Sequence, residues 1–495
     1  MLVCCFALWG LLNNMTDNLV PAFQNIFTMP QEKAALVQVA FYGAYAVLAI
    51  FASVLVEETS YRSGVLIGLG IYILGALCYI PACIHQSFEI YFLAIFVVAS
   101  GCSLLETTCN PYVLALGPPR TSVRRLNFAQ AFNPIGSTLG IILAQQLILA
   151  HLHPATAEER QAMAPDALQA IVHKELFWVC APYVGLCAAA FFIWLFFLRN
   201  RETERTLSSS PTFGRGSGTR ILVAVLFCLV PLTTLYFLFP EMDKVHWILW
   251  GMLGPIAYLL IFPSYRRMLL DLIRRPRYSC GVVTQFFYVG VQIAVWTWLN
   301  VYCQKELGVD KASAASYYTL SILLFIVCRW VATYYMKKYN PAHMMALFAL
   351  AAIACSFGVI YLPSTVLFTV AGLPFSANVI ALILLSGCMS LMFPTIYGLA
   401  LKGLDERVVK LGAAGLIMSI LGGAVITPWM AHILGSADSC WLALTQNLSF
   451  SAVWDAELQT SHAAVRASFI VPAICFGVVL LYSLIFHRVP AEDED

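Results

Sequence analysis

The sequence predicts an all-α polytopic membrane protein of fourteen spans, on three observations. Of 495 residues, 60% are apolar and 11% charged, and the mean hydropathy is +0.80. A water-soluble core needs no such excess, whereas a bundle of membrane helices does. Second, apolar windows of about twenty residues, the length that crosses about 30 Å of hydrocarbon, recur along the whole chain. Third, Lys and Arg concentrate in alternate connections, as they do at the cytoplasmic ends of membrane helices.

Taken in order, the spans fall near residues 3–27, 35–55, 64–84, 90–116, 126–150, 176–198, 220–239, 245–263, 279–302, 314–336, 342–362, 374–400, 409–433 and 467–486. The opening MLVCCFALWG lacks the basic start and small-residue cleavage site of a signal peptide, so it is read as a retained first span. With both ends placed in the cytoplasm, the inward connections hold 20 of the 28 basic residues and the outward ones seven. The remaining one, Arg329, lies near the inner end of its helix and reads as a snorkelling or packing charge rather than a ligand. RNRETERTLSSSPTFGRGSG, residues 199–218, is the one long polar inward stretch and reads as a linker between two halves. The expected organisation is an N-terminal six-helix bundle (1–198), a cytoplasmic linker (199–219), two extra spans with a basic loop (220–278), and a C-terminal six-helix bundle (279–495).

An internal repeat supports the halves. YVLAL at Tyr112–Leu116 recurs as YGLAL at Tyr397–Leu401, an offset of 285; the same offset brings Arg125-Leu126 onto Lys410-Leu411 and Ala129 onto Ala414. Duplicated bundles with a ligand held between them are a common transporter plan. The sixteen cysteines lie mostly within apolar runs, with no CxxC, and read as small packing residues; a disulfide involving Cys440 in an external loop is the alternative. A net charge of +2 gives no reason to expect a nucleic-acid partner. There is no GxxxxGK[ST], HExxH or GxSxG, and no Cys/His pair at metal spacing. Neither a metal, nor a cofactor, nor an enzyme is expected.

Of 54 charged residues only Asp17, Glu106 and Arg329 fall at membrane depth. Each costs about 2.5–3.5 kcal/mol or more there, so such residues usually face a cavity and act in it. The competing reading for the acids is a neutral carboxyl hydrogen-bonded between helices. Both have polar company on their own helical face: Asn13 and Asn14 before Asp17, Asn110 after Glu106. Pro21 and Pro111 remove the donors for the Asp17 and Thr107 carbonyls, and freed carbonyls at depth are tolerated only against protein or a wet cavity. In the next span Asn127, Gln130 and Asn133 step by three, an amide stripe suited to hydroxyls, while Gly136 and Gly140 form a helix-packing GxxxG. The second half is aromatic instead. Gln285, Gln292 and Trp296 share one face, and Phe393, Pro394 and Tyr397 follow later, with no acid at depth. A polar, acidic half opposite an aromatic half suits an amphipathic solute such as a sugar; ordinary core or lipid packing is the alternative for the aromatics.

LWGLLNNMTDNLVPAF, LVQVAFYGAYAVLAI, LETTCNPYVLALGP and RLNFAQAFNPIG, which cover the first five spans, together resemble the fucose:proton symporter family of the major facilitator superfamily. In the second half, QFFYVGVQIAVWTWL and FPTIYGLALKGL look closer to L-fucose permeases than to the related glucose/galactose transporters. The resemblance implies a cavity between two six-helix bundles, with Asp17 and Glu106 as the essential pair and Glu106 carrying the proton. It also implies that Asn14, Gln130 and Asn133 contact sugar; Gln285, Gln292 and Trp296 match the family pattern. Asn110, Phe393 and Tyr397 complete the expected substrate set. Three departures stand out: Phe393 where the fucose permease has a tyrosine, Glu57 and Glu58 where basic residues are usual, and two extra spans where the fold normally has twelve. The expected activity is proton-coupled uptake of a neutral monosaccharide, L-fucose foremost, in a bacterial inner membrane. The alternatives are another hexose coupled to H⁺ or Na⁺, or proton-driven efflux. The expected partners are the sugar and the bilayer, and the expected state is a monomer.

Overall fold

A computed structural model describes residues 2–17, 19–29, 36–155, 159–160, 163–199, 217–238, 250–435 and 462–486. The linker at 200–216 and most of the second large loop, with Cys440, lie outside the described residues. Apolar sequence of this length can satisfy its backbone in hydrocarbon only as helix, and the described chain is helical almost throughout. In chain order the helices are α1 (Leu2–Asp17), α2 (Leu19–Ile26), α3 (Leu36–Glu58), α4 (Tyr61–Leu77), α5 (Tyr79–His85), α6 (Phe88–Ala115), α7 (Ser122–Gln130), α8 (Phe132–Leu143) and α9 (Pro165–Arg199). There follow α10 (Ser217–Leu238), α11 (Leu253–Ile261), α12 (Pro263–Arg274), α13 (Pro276–Leu307), α14 (Lys311–Tyr335), α15 (Pro341–Tyr361), α16 (Ala377–Met389), α17 (Met392–Leu401), α18 (Glu406–Met418), α19 (Gly422–Gly435), α20 (His462–Ala467) and α21 (Ile470–Ile485).

Among the described residues, eleven helical stretches are long and apolar enough to cross a bilayer, and Leu2–Thr16 and Ser217–Pro231 are shorter apolar helices. The window at 245–263 holds Leu253–Ile261, residues 239–249 lying outside the described chain.

The all-α reading needs one amendment. Ahead of α16, strands β1 (Val366–Val370) and β2 (Leu373–Ser376) form an antiparallel hairpin. Ala371 and Gly372 both take positive φ, 50° and 82°, which suits a two-residue hairpin turn. The sequence reading had begun a span at 374 because the hairpin's own residues are apolar; Phe368 and Phe375 stack with centroids 5.3 Å apart.

The chain divides into two compact units. The first comprises Met1–Gly117, Phe132–Arg274 and Leu404–Met418; the second comprises Pro118–Ala131, Arg275–Gly403 and Ser419–Asp495. Each unit therefore includes a short segment from the other sequence half. The 285-residue offset carries 118–131 onto 403–416, so the segments that change sides are repeat counterparts.

A second feature recurs in both units. In the first, α1 crosses α8 so closely that a Cβ on Gly136 would stand 1.9 Å from the Ala7 carbonyl oxygen. In the second, α13 crosses α19, and a Cβ on Gly422 would stand 2.0 Å from the Phe286 carbonyl oxygen. Glycine is required for backbones to approach like this.

α10 and the start of α11 pack on α3 of the first unit: Ile221 lies against the cluster of Ala52, Leu55 and Leu104, and Met252, just ahead of α11, against Val47. An acidic pair at the end of α3 fixes α10, α12 and α18. The Tyr265 hydroxyl donates to Glu57 (3.2 Å) and Glu58 (2.9 Å), Arg220 pairs with Glu58 at 3.0 Å, and Arg407 of α18 pairs with Glu57 at 3.3 Å. Burial and the two carboxylates beside it push the Tyr265 hydroxyl well above its ordinary pKa.

Candidate functional site

In the first unit Glu106 sits at mid-helix on α6, 7% exposed. The Tyr45 hydroxyl of α3 is in hydrogen-bonding reach of its carboxyl, and the thiols of Cys102 and Cys109 flank it. No Lys, Arg or His among the described residues lies within ion-pair distance. One turn on, the Asn110 amide nitrogen donates to the Glu106 backbone carbonyl at 2.9 Å, and the Thr107 hydroxyl is buried with no partner among the described residues. Pro111 interrupts the ladder here. The helix continues because one side of it is sealed by α3 and α4, with Gly101 admitting Tyr72 and Gly68 of α4.

The crossing of α1 and α8 gathers a second polar group. Asn14 and Ser137 both donate to the Gly10 carbonyl, at 3.4 and 3.2 Å, and Asn133 donates to the Phe6 carbonyl at 3.4 Å. The Asn13 side-chain oxygen is buried with no partner among the described residues. Asp17 is the last described residue of α1; its side chain lies outside what is described. Glu106 with Asn110, and Asn14 with Asn133, thus form two polar groups of the same unit.

Ala131 separates α7 from α8, and the boundary between the units falls just after it, with Asn127 and Gln130 in the second unit and Asn133 in the first. Asn127 bridges helices, donating to the Thr395 hydroxyl of α17 at 3.2 Å.

The second unit holds the remaining candidates. Gln285 on α13 is fully buried, and neither its amide oxygen nor its nitrogen has a partner among the described residues. Gln292 is half-buried. Trp296 donates to the Ser386 hydroxyl at 3.3 Å and meets Phe325 edge-on, centroids 5.1 Å apart. On α17, Phe393 and Tyr397 stack at 6.2 Å.

Of the two readings the sequence leaves for Arg329, the structure favours the packing charge over the snorkelling one. Arg329 is 3% exposed, and its guanidinium donates to the Gln130 carbonyl at 2.9 Å and to the Ser390 carbonyl, with the Phe325 ring 4.5 Å from its centre. Pro134 lies four residues after Gln130 and Pro394 four after Ser390, so each proline removes the donor that would have bonded that carbonyl. One buried cation thereby satisfies the carbonyls freed at two helix breaks. The two prolines were the signal available in the sequence. Among the described residues, no cluster of three or more His, Cys, Asp or Glu could hold a metal ion.

The fold is that of a polytopic membrane protein, with eleven helical stretches among the described residues long and apolar enough to cross a bilayer. The profile of the Major Facilitator Superfamily matches residues 2–427. The chain is 34% identical over 477 residues to the L-fucose-proton symporter of Haemophilus influenzae, covering 96% of this chain and 93% of that one. It is 26% identical over 488 residues to a glucose/galactose transporter of Brucella abortus, covering 98% and 92%. It superposes on a crystal structure of the Escherichia coli fucose:proton symporter, FucP, with a TM-score of 0.73 and 26% identity, covering 99% and 98%. The chain belongs to the fucose:proton symporter family of the Major Facilitator Superfamily and is a multi-pass integral membrane transporter.

Proposed function

We propose that this protein takes up a neutral monosaccharide, L-fucose foremost, together with a proton, by alternating access. The observation that carries the reading is Glu106: a carboxyl at membrane depth, against a tyrosine hydroxyl and two thiols, with no cation among the described residues to balance it. An ionised acid there is held at a cost of about 2.5–3.5 kcal/mol or more, which protonation removes.

In the proposed cycle Glu106 takes a proton from outside and becomes neutral, able to donate a hydrogen bond as well as accept one. With the charge gone, the sugar-loaded carrier can change its access from one face to the other; sugar leaves, and the proton follows. Asp17 helps hold or relay the charge. Asn14, Asn110, Gln130, Asn133 and Gln285 bond the hydroxyls, with Gln292 beside them. Trp296, Phe393 and Tyr397 give apolar faces, against which the methyl of a 6-deoxy sugar fits. Gln285 suits this role because its buried amide has both hydrogen-bonding ends unfilled among the described residues.

The same reading takes fourteen spans with both termini in the cytoplasm, two six-helix halves (1–198 and 279–495) joined by the 199–219 linker and the extra pair within 220–278, and a monomer in a bacterial inner membrane. The Brucella relative keeps a second substrate open, a glucose- or galactose-type hexose coupled to H⁺ or Na⁺.

The test is uptake of labelled L-fucose into proteoliposomes under an inward proton gradient, then an inward Na⁺ gradient, with unlabelled glucose and galactose as competitors. Accumulation driven by protons and displaced only by L-fucose is expected. Accumulation under Na⁺ alone, or equal displacement by glucose, would move the assignment to the second substrate. No uptake, with dye extruded instead, would make it an efflux carrier.

A further inference from the structure

The second unit carries a cavity of about 740 Å³ that the transport reading leaves unused. Three connections line it: the turn before α7 with that helix's first residues, the link from α14 to α15, and the end of α17. Arg120, Arg124, Lys337, Lys338, Lys402 and His343 all face this space, and among the described residues no acidic one does. Its size falls within the roughly 300–1,000 Å³ usual for a small-molecule site, so it has room for more than a bare phosphate. Six basic side chains around one cavity call for an anion.

A second observation says where that anion comes from. Along α14, Val327, Val331 and Tyr334 form an exposed stripe at helical spacing, Tyr334 being 64% exposed. Tyr335 and Tyr339 are exposed beside it, and Trp330 meets Phe128 edge-on at 5.5 Å. An apolar stripe ending in tyrosines and tryptophan is the pattern of a helix leaving hydrocarbon for the headgroup layer. The stripe ends at the cavity, where the Lys337 ammonium lies 4.8 Å from the Tyr334 ring and that of Lys338 5.7 Å from the Tyr339 ring.

We propose that this cavity seats the phosphodiester headgroup of an anionic phospholipid, its acyl chains lying along the Val327–Val331–Tyr334 stripe. Juxtamembrane basic pockets are suited to such headgroups. The bound headgroup would tie together three helix ends. One begins α7, which carries Gln130; one follows α14, which carries Arg329; one ends α17, which carries Phe393 and Tyr397. Its occupancy therefore sets how firmly these elements are held together.

The experiment uses the full-length purified protein in a neutral detergent with fluorescent short-chain phosphatidylglycerol as probe and phosphatidylcholine as its zwitterionic control. Lys337→Gln with Lys338→Gln, both at exposed positions, tests the cavity; Lys174→Gln with Lys305→Gln removes the same charge elsewhere. Preference for phosphatidylglycerol is expected. Binding should weaken roughly fivefold for each cavity charge removed, and stay within twofold in the control variant. Equal binding of the two lipids, or loss equal in both variants, would overturn the proposal. Glycerol phosphate is the competing arm: full displacement of the lipid at comparable concentration would overturn the lipid assignment in favour of a soluble phosphorylated ligand. Binding is read without transport, so it stands or falls apart from the sugar.

Discussion

Glu106 and the pair Glu57–Glu58 are buried acids of the same unit in opposite surroundings. The pair lies at the end of α3 among Arg220, Arg407 and the Tyr265 hydroxyl, so its charge is matched and its oxygens are bonded. Glu106 lies mid-helix with Tyr45 and two thiols and no matching cation among the described residues. A carboxylate between guanidiniums is a strut: it fixes α10, α12 and α18 against α3. A carboxyl without a cation is held only as firmly as its proton. What distinguishes the two is their partners, since both are almost fully enclosed.

That contrast can be broken in order of expected effect. Glu106→Gln should abolish gradient-driven accumulation, so that internal sugar rises no higher than external, while sugar exchange at equilibrium continues; a variant that still concentrates sugar would end the proton role of Glu106. Next, Glu57→Gln with Glu58→Gln should leave coupling intact but lower the thermal midpoint by several degrees, about 2–4 °C per kcal/mol lost. The arginines are partly exposed and keep some hydration, so the loss should fall short of the about 3–5 kcal/mol of a fully buried pair. If this variant instead lost coupling at an unchanged midpoint, strut and proton site would have to be exchanged. Tyr45→Phe removes the hydroxyl beside Glu106 and keeps the ring; initial uptake should fall about three- to tenfold, matching about 0.5–1.5 kcal/mol for one hydrogen bond. Smallest is Phe393→Tyr, which restores the hydroxyl of the fucose permease pattern and should change the KM for L-fucose by less than about threefold.

Much of this was legible in the amino-acid sequence. Hydropathy reads membrane helices well because a continuous apolar segment can satisfy its own backbone in hydrocarbon only as helix, and Glu106 announced itself as an acid within an apolar run. The hairpin at 366–376 did not, because strands of Val, Leu and Phe look to a hydropathy window like the start of the next span. The environment of Glu57 and Glu58 depends on Arg220, Tyr265 and Arg407, more than 150 residues away along the chain. Arg329 was harder again: its partners are main-chain carbonyls, 199 and 61 residues distant, which no side-chain pattern names. The stripe of Asn127, Gln130 and Asn133 reads as one run by its spacing; the division between the two units, which falls just after Ala131, depends on packing across the whole chain and is not visible in it.

The traded segments, 118–131 and 404–418, bear on how this molecule could be taken apart. A polypeptide cut within 199–218 would yield two fragments, each missing a piece of its own interior. The amino-terminal fragment would keep Glu57 and Tyr61 but lack Arg407 and the Lys410 ammonium that rests 4.9 Å from the Tyr61 ring; the carboxy-terminal fragment would keep Thr395 and lack Asn127. Neither would be a finished domain, and co-expression would restore them only together.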